Sequence, residues 1–484
     1  MNEKYKSDNK LLSIREKNIN NSPVKPIIFV NNNYIETVHQ INSAKNFKSL
    51  SGILPYLYLL GSFPCIQTQD PYIYSDKVFH PVSFLANQNH TGFSNGKDLL
   101  NSPSPTFLEY NLICLKPDLS KQGILNGMIT DDRLGLILVD PHLSNRFKGV
   151  VGDMMTSVFS SIFTRRPVSL PVKIFEPKST LQRITEYWSF APMFISTASK
   201  TVDVTEKLKY VVCFAVAGLY PSSKQLKPFN PLLGETFEGF FEDNSSIYCE
   251  HISHYPSVTR FLIDDVNKKY RISGYYEYNS KAKSMGGKLS FSQKGPNRVD
   301  FIGDNHIIFN MPKLKLLNCR SDTKRSNIWK SVMVFVDIKN NLKAIIRFGN
   351  NQERVNNFEG YIINHIFPKN YKFDIDEEIK LTKKLFKDTK SLQKICRIHG
   401  NWLENLTFDN KTYWNINTHS PSWACPSLSI LPSDGRFRED IIWLFRSLSS
   451  LEESEKKKYE EFSQSWKHSI ETIQRRDRDL RKKK

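Results

Sequence analysis

Apolar and polar residues alternate through much of the segment 258–366. One run carries Tyr270, Ile272, Gly274, Tyr276 and Tyr278 at every second position. Two further runs, 332–338 and 342–348, flank Lys339-Asn340-Asn341, and Asn tolerates positive φ, so this stretch predicts a β-hairpin. Many such runs without an alternating helix–strand rhythm indicate a large antiparallel sheet. The chain is long enough to close such a sheet around a ligand.

Helical spacing of apolar residues marks the segment 152–164. The apolar residues lie on one face, and the opposite face carries Ser and Thr rather than charged residues. The pattern fits an ordinary packed helix and a membrane-inserting lid equally well. The apolar face comprises Met154, Met155, Val158, Phe159, Ile162 and Phe163.

A second helix is predicted over about 450–480, with a capping-box start at Ser450-Leu451-Glu452-Glu453. Its buried stripe consists of Tyr459, Phe462, Trp466, Ile470 and Ile473. Lys467, Glu471 and Arg475 lie along one face. By spacing alone, a solvated face is the simpler interpretation, with ion pairs contributing roughly 0.3–0.5 kcal/mol each.

Composition narrows the class of protein. The 484 residues carry a formal charge of +19, which calls for an acidic partner: nucleic acid, an anionic membrane or a phosphorylated ligand. The seven cysteines are scattered without a Cys-x-x-Cys pair, which favours a reducing compartment and argues against a zinc ribbon. The polar start shows no signal peptide, and no apolar run reaches the roughly 18–20 residues that span a bilayer. We therefore expect a cytoplasmic protein that contacts membranes peripherally.

Before residue 149 the sequence says less. Residues 1–50 are rich in Asn, Lys and Ser and are predicted to be disordered. Residues 51–148 contain no motif, and either an appended domain or an extension packed on the main domain fits them. The last ten residues, 475–484, hold seven basic side chains, which predict a membrane-surface patch worth on the order of 1 kcal/mol per charge.

The segment 227–257 carries the candidate chemistry. It opens with Lys-Pro-Phe-Asn-Pro-Leu-Leu-Gly-Glu-Thr-Phe-Glu and closes with Glu-His-Ile-Ser-His-Tyr-Pro-Ser. Lys227 and Asn230 stand beside prolines that stiffen the backbone, and Gly234 permits a close approach. An ammonium, an amide and the imidazole of His254 suit a phosphate. The alternative is a proline-rich turn followed by a core histidine.

Both blocks resemble the oxysterol-binding protein family. The first resembles its lysine-proline-phenylalanine-asparagine-proline block. The second is similar to Glu-Gln-Val-Ser-His-His-Pro-Pro, with departures at His251, Ile252, Tyr255 and Ser257. Further similar blocks are 174–183 with Trp188, 398–402, and 431–440 with Gly435 where Ser is usual. The resemblance covers roughly 165–484.

The resemblance implies a mainly β domain with flanking helices (α+β) over 149–484. In it a large antiparallel barrel encloses a lipid tunnel, between an N-terminal lid helix and a long C-terminal helix. It implies exchange of a sterol or other lipid for a phosphoinositide, phosphatidylinositol 4-phosphate, between membranes, including at membrane contact sites. The implied lid and membrane residues are Met155, Phe159 and Phe163. The implied headgroup residues are Lys227, Pro228, Phe229, Asn230, His254, Tyr255, Lys467, Glu471 and Arg475. No cofactor, metal or nucleic acid is implied.

Two other functions are alternatives to lipid exchange. The second block departs from the family pattern at four positions. An alternative function is therefore tethering or sensing of membranes without movement of lipid. An enzyme would need a nucleophile with a base; Ser253 and His254 are adjacent, and adjacent strand residues point to opposite faces. No Gly-x-Ser-x-Gly elbow occurs. We therefore expect binding rather than catalysis.

Overall fold

The computed structural model describes residues 118–150 and 170–484, apart from 284–286, 304, 322–323, 350, 428–430, 432, 451 and 484. The side chains of 282–283 and 476–483 are likewise outside the description. The largest element of the described chain is one antiparallel sheet of 17 strands. Within these ranges no helix combines the length and hydropathy needed to cross a bilayer.

The strands of the sheet are β1 (Met128–Asp131), β2 (Gly135–Leu138), β5 (Thr236–Phe240), β6 (Ser246–His254), β7 (Ser257–Asp264), β8 (Tyr270–Lys283), β9 (Lys288–Lys294), β10 (Asn297–Phe301), β11 (Asn305–Phe309), β12 (Lys313–Leu317), β13 (Ser326–Asp337), β14 (Leu342–Phe348), β15 (Asn357–Asn364), β16 (Lys394–Asn401), β17 (Asn405–Phe408), β18 (Lys411–Asn415) and β19 (Cys425–Pro426). A separate parallel pair joins β3 (Phe175–Ser179) to β4 (Lys227–Phe229).

The helices are α1 (Lys121–Ile124), α2 (Pro141–Phe147), α3 (Thr180–Tyr187), α4 (Ser196–Lys200), α5 (Val204–Ala217), α6 (Ile375–Leu385), α7 (Glu439–Ser449) and α8 (Glu453–Lys483). Short 3₁₀ turns occupy Val172–Ile174 and Gly435–Phe437, and a π-helical turn occupies Ala191–Ile195.

The strands form a continuous series of antiparallel pairings. From one edge the order is β19, β5, β6, β7 and β8, and β8 pairs with both β9 and β10. These lead through β12 and β11 to β13, and then through β14 to β18. The register gives the sheet two ends. We call them the His254 end, where β6 finishes, and the Asn341 end, where β13 turns into β14.

Aromatic packing shows that distant strands share one core. Trp188, just after α3, stacks on Phe261 of β7 at 5.1 Å and on Phe214 of α5 at 5.2 Å. Trp414, on β18, stacks on Tyr220 after α5 at 5.8 Å. Strands from opposite parts of the sheet thus pack on the same helical segment, so the sheet curves around it.

The predicted fold class, mainly β with flanking helices, is confirmed. The hairpin lies where its sequence placed it, with Asp337 opposite Leu342 and Asn341 at φ 52°. The C-terminal helix begins at Glu453, three residues later than predicted. Ser450 ends helix α7 through its backbone amide, while its hydroxyl accepts from the Glu452 amide at 3.3 Å. Within the region 51–148, the described residues contribute β1 and β2, and β2 pairs with β13.

Candidate functional site

The short parallel pair of β3 and β4 fixes the first cationic residue of the site. Phe175 is paired with Lys227, and Ser179 with Phe229. The Thr180 hydroxyl donates to the Phe229 carbonyl at 2.9 Å and so locks β4 to the start of helix α3. Ser179 caps that helix, and its hydroxyl accepts from the Leu181 amide. Lys227 is therefore held on rigid backbone.

Two lysines that are far apart in sequence meet at one aromatic ring. The Lys227 ammonium lies 4.8 Å from the centroid of Phe175, and the Lys467 ammonium of helix α8 lies 5.2 Å from it. Lys227 also donates to the Asn230 side-chain oxygen at 2.6 Å and to the Pro228 carbonyl at 3.0 Å. Cations are attracted to an aromatic face, so the ring of Phe175 partly compensates for bringing the two together.

The two ammonium groups are costly to keep charged. Burial and the neighbouring Lys467 lower the pKa of Lys227 to about 7, although Glu471 opposes the shift. Burial also lowers the pKa of Lys467, again against the effect of Glu471. The arrangement thus concentrates positive charge where water cannot fully solvate it.

Helix α8 supplies the acidic group of the cluster and a further cation. Glu471 pairs with Lys467 at 2.8 Å through one carboxylate oxygen. Its other oxygen, and Nη1 of Arg475 one turn further on, are buried without a hydrogen-bond partner. Residues four apart share a helix face, so these polar atoms lie on the face that carries Lys467.

A second cluster lies at the end of β6. His251 is fully buried; its Nδ1 lies 3.0 Å from the Thr259 hydroxyl and its Nε2 lies 3.2 Å from Nδ1 of His254. Burial, with smaller effects from His254 and Arg438, lowers the pKa of His251 to about 3, so this ring is neutral at neutral pH. The ring of Tyr255 is half-exposed and packs edge-on against His254, with centroids 4.8 Å apart. His251 thereby fixes the orientation of the His254 imidazole.

Buried ion pairs connect the two clusters. Arg438 donates to the Asn230 carbonyl at 2.6 Å, to Glu235 at 3.0 Å, and to Asp440 through two bonds of 3.0 and 2.7 Å. Glu235 also accepts from the Ser179 hydroxyl and, at 2.8 Å, from the Leu232 amide. Its backbone carbonyl accepts from the His251 amide at 3.0 Å. Glu235 thus ties the segment carrying Lys227 to β6, through its carboxylate on one side and its backbone carbonyl on the other.

The structure brings together four of the predicted headgroup residues: Lys227, Asn230, Lys467 and Glu471. Pro228 and Phe229 form the backbone beneath Lys227, while His254 and Tyr255 form the second cluster. That all nine act on one ligand stays a prediction. The predicted lid residues Met155, Phe159 and Phe163 lie outside the described residues.

Sequence reasoning gave no headgroup role to four residues that build the site: Phe175, Glu235, His251 and Arg438. All four stand inside motifs quoted from the sequence, and His251 was noted there as a departure. For Arg438, the Arg-x-Asp sequence is a usable signal for an internal ion pair. Phe175 had no such signal, because its role depends on pairing with a strand about fifty residues away.

Known proteins are similar to the part of the chain that contains the sheet and the site. The family model "Oxysterol-binding protein" matches residues 165–484. Oxysterol-binding protein 9 of Dictyostelium discoideum is 30% identical over 337 residues, which cover 67% of this chain and 76% of that protein. Oxysterol-binding protein-related protein 8 of Mus musculus is 30% identical over 174 residues, but the match spans only 19% of its length. A crystal structure of the Osh1 ORD domain in complex with cholesterol aligns with a TM-score of 0.50 and 20% identity, covering 68% of this chain and 80% of the other.

Because the family model matches about two thirds of its length, the chain belongs to the oxysterol-binding protein family. The likeness to the Osh1 domain supports the fold, a large antiparallel barrel.

We predict that Lys227→Met stabilises the ligand-free protein, by on the order of 1–3 kcal/mol at pH 6, because it removes a buried charge. The folded-state pKa of about 7 lies below the unfolded value of 10.5, so the unfolded chain binds more protons between those pH values. The free energy of unfolding contributed by Lys227 therefore rises with pH through that window, and the gain from substitution shrinks toward pH 10. Urea denaturation of wild type and Lys227→Met at pH 6 and 9.5 measures this gain in the free energy of unfolding. Lys313→Met, at an exposed position of β12, is the control; an equal gain at both pH values would contradict the assignment.

Glu235→Ala is expected to destabilise the fold by about 2–4 kcal/mol, because Arg438 loses one of its two carboxylates while Ser179 and Leu232 lose an acceptor. Urea denaturation measures the loss. Glu250→Ala on the exposed side of β6 should change stability by less than about 0.5 kcal/mol. Similar losses for both variants would show that Glu235 is not central to the site.

Proposed function

We propose that this protein takes up single lipids in its barrel and exchanges a phosphoinositide for a sterol or another lipid between membranes. The phosphoinositide is phosphatidylinositol 4-phosphate, and its phosphate is held at the His254 end of the sheet. This chemistry places the protein in the cytoplasm, at membrane surfaces and contact sites between them. Nothing in the function calls for catalysis or a cofactor.

The observation that carries the proposal is the pair of lysines over Phe175, of which Lys467 is buried and Lys227 is half-buried. Two ammonium groups with lowered pKa values share one carboxylate, Glu471, which leaves an excess of positive charge. A phosphate monoester with nearly two negative charges offsets that excess and raises both lysine pKa values on binding. The unpartnered Nη1 of Arg475 supplies a further donor on the same helix face.

The histidine cluster supports the same ligand. Because His251 is neutral, its Nδ1 can accept from the Thr259 hydroxyl while its Nε2–H donates to Nδ1 of His254. His254 then carries its own proton on Nε2, which can donate to an anion. Glu235 and Arg438 hold this cluster and the Lys227 segment in one rigid unit. A preorganised site of this kind loses little ordering entropy when the headgroup binds.

Exchange follows if both lipids compete for one tunnel. The sterol would need only apolar burial, whereas the phosphoinositide would also need the cationic site. A gradient of the charged lipid would then drive movement of the uncharged one. The lid predicted over 152–164 would close over either ligand.

Removing one cation tests the separate roles of headgroup and tunnel. In Lys227→Met, Lys467→Met and Arg475→Met, extraction of phosphatidylinositol 4-phosphate from vesicles should fall about tenfold or more, since each charged contact is worth roughly 1.5–3 kcal/mol. Uptake of a fluorescent sterol should stay within about twofold of wild type. Lys313→Met serves as the matched control. If folded variants lose both lipids equally, or neither, the proposal fails.

Tyr255→His is expected to strengthen phosphoinositide binding by about 1 kcal/mol, more at pH 6 than at pH 8. The reason is that an imidazole can carry a positive charge beside His254, whereas a phenol donates one neutral hydrogen bond. Titration with phosphoinositide vesicles at both pH values measures the change, and Tyr255→Phe isolates the contribution of the hydroxyl. Weaker or unchanged binding in the histidine variant would mean that the pocket has been rebuilt around Tyr255.

A further inference from the structure

Residues 118–150 precede the segment 165–484 that matches the family model, yet they are built into the same sheet. Strand β2 pairs with the first two residues of β13, Ser326 and Asn327, whereas β14 pairs with β13 only further along the strand. β2 thus supplies backbone hydrogen-bond partners that β14 does not reach. The side chain of Leu136 on β2 is fully buried in the main core. The hairpin of β1 and β2 is therefore an integral part of the sheet.

Helix α2 follows this hairpin and is fixed at both of its ends. The Asp140 carboxylate caps its start and accepts from the His142 amide at 2.7 Å. At its end Phe147 is buried, and the guanidinium of Arg325, the residue before β13, lies 3.9 Å from the centroid of the Phe147 ring. Arg146, next to Phe147, therefore projects from a fixed backbone position.

The side chain of Arg146 holds the backbone that carries the aromatic ring of the site. Its Nε donates to the Lys173 carbonyl at 2.8 Å, and its Nη2 donates to the Phe175 carbonyl at 2.9 Å. Two donors of one planar guanidinium thus fix the 3₁₀ turn before β3 and the first residue of β3 together. Phe175 is paired with Lys227, and its ring contacts the ammonium groups of Lys227 and Lys467. A shift of the Phe175 carbonyl would therefore move the ring between the two lysines.

Helix α8 meets the same group of residues with one face. Glu460, Gln464 and Lys467 share that face, because residues three, four and seven positions apart lie on one side of a helix. The Gln464 side chain accepts from the amide of Val172, in the turn before β3, at 2.8 Å. Burial lowers the pKa of Arg146, and the carboxylate of Glu460 opposes this shift, so the carboxylate lies near the guanidinium. Arg146 therefore lies where β3 meets the helix that carries Lys467.

We propose that Arg146 is a positioning residue of the phosphate site, which sets the separation of the Lys227 and Lys467 ammonium groups by fixing β3 against helix α8. It acts through Phe175 and does not belong to the headgroup contacts themselves. The inference deepens the proposed function and rests on it for the identity of the ligand. Removing the guanidinium should let β3 and α8 move relative to each other, which weakens phosphate binding because a preorganised site tolerates little displacement of its groups.

Lipid binding separates this role from a general structural one. In full-length Arg146→Met, extraction of phosphatidylinositol 4-phosphate from phosphatidylcholine vesicles should fall about tenfold, while uptake of a fluorescent sterol stays within about twofold of wild type. Arg133→Met, in the exposed turn between β1 and β2, is the matched control and should leave both within about twofold. Folded Arg146→Met that extracts phosphoinositide normally, or that loses both lipids equally, overturns the proposal.

Arg146→Lys decides the question if the methionine variant does not fold. A lysine keeps the positive charge beside Glu460 but lacks the planar fork that reaches the carbonyls of Lys173 and Phe175 together. Extraction of phosphoinositide by this variant should fall at least about threefold, with sterol uptake retained. Unchanged extraction would show that charge alone suffices at Arg146, and would overturn the positioning role.

The separation of the lysines can also be tested without any lipid, through the pKa of Lys227. Burial, followed by Lys467 and Arg438, lowers this pKa to about 7, and Glu471 and Glu176 oppose the shift. An ammonium that moves away from its cationic neighbour and gains water returns toward its ordinary pKa. The pKa of Lys227 in the ligand-free protein therefore reports how closely the two lysines are held.

The pH dependence of the acetylation rate of Lys227, followed by mass spectrometry, measures this pKa. In Arg146→Met it should rise by about one pH unit or more, and in Arg133→Met it should stay at the wild-type value. An unchanged pKa in Arg146→Met overturns the positioning role. A wild type that extracts no phosphoinositide refutes the proposed function instead, and the pKa of Lys227 still decides the role of Arg146.

Discussion

The site depends on one buried carboxylate, that of Glu235. Burial raises its pKa, and the adjacent Arg438 opposes the shift, so the group is stable as an anion only while this pairing is intact. Its two oxygens accept hydrogen bonds from three separate parts of the chain: the cap of helix α3, the turn after Asn230, and the segment that leads into α7. Replacing such a network with apolar residues is often harmless to stability, but here the network also sets the positions of the ligand-binding groups.

Glu235 explains why the cationic groups can be held so close together. Arg438 is fully occupied by Glu235, Asp440 and the Asn230 carbonyl, so it organises the site without offering its charge to a ligand. Lys227 donates to the Asn230 side chain and to the Pro228 carbonyl, and Lys467 pairs with Glu471, so the two lysines share one nearby carboxylate where Arg438 alone has two. Arg438 is therefore a structural cation, whereas Lys227 and Lys467 are the candidates for binding an anion. In the proposed function, the free energy recovered when an anion neutralises the two lysines would contribute to binding.

Much of the fold was predictable because its signals are local. The alternation through 332–348 and the Asn pair between its two runs specify a hairpin without reference to the rest of the chain. The spacing of Lys467, Glu471 and Arg475 likewise places them on one helix face. By contrast, the contact of Lys467 with Phe175 depends on where α8 packs, and no pattern within either segment encodes that. His251 illustrates a third case. Its difference from the family's Gln is visible in the sequence, but its hydrogen bond to His254 depends on the bulge at the end of β6, which the sequence does not reveal.

The two ends of the strands solve different physical problems. At the His254 end, prolines, a parallel strand pair and buried ion pairs hold polar groups rigidly, which a phosphate site requires because misplaced charges lose their hydrogen bonds. At the Asn341 end, turns with positive φ at Asn341 and Gly303 reverse the chain and carry exposed side chains. Antiparallel strands connect the two ends. A change in a turn at the Asn341 end therefore leaves in place the strand register that positions the groups at the His254 end.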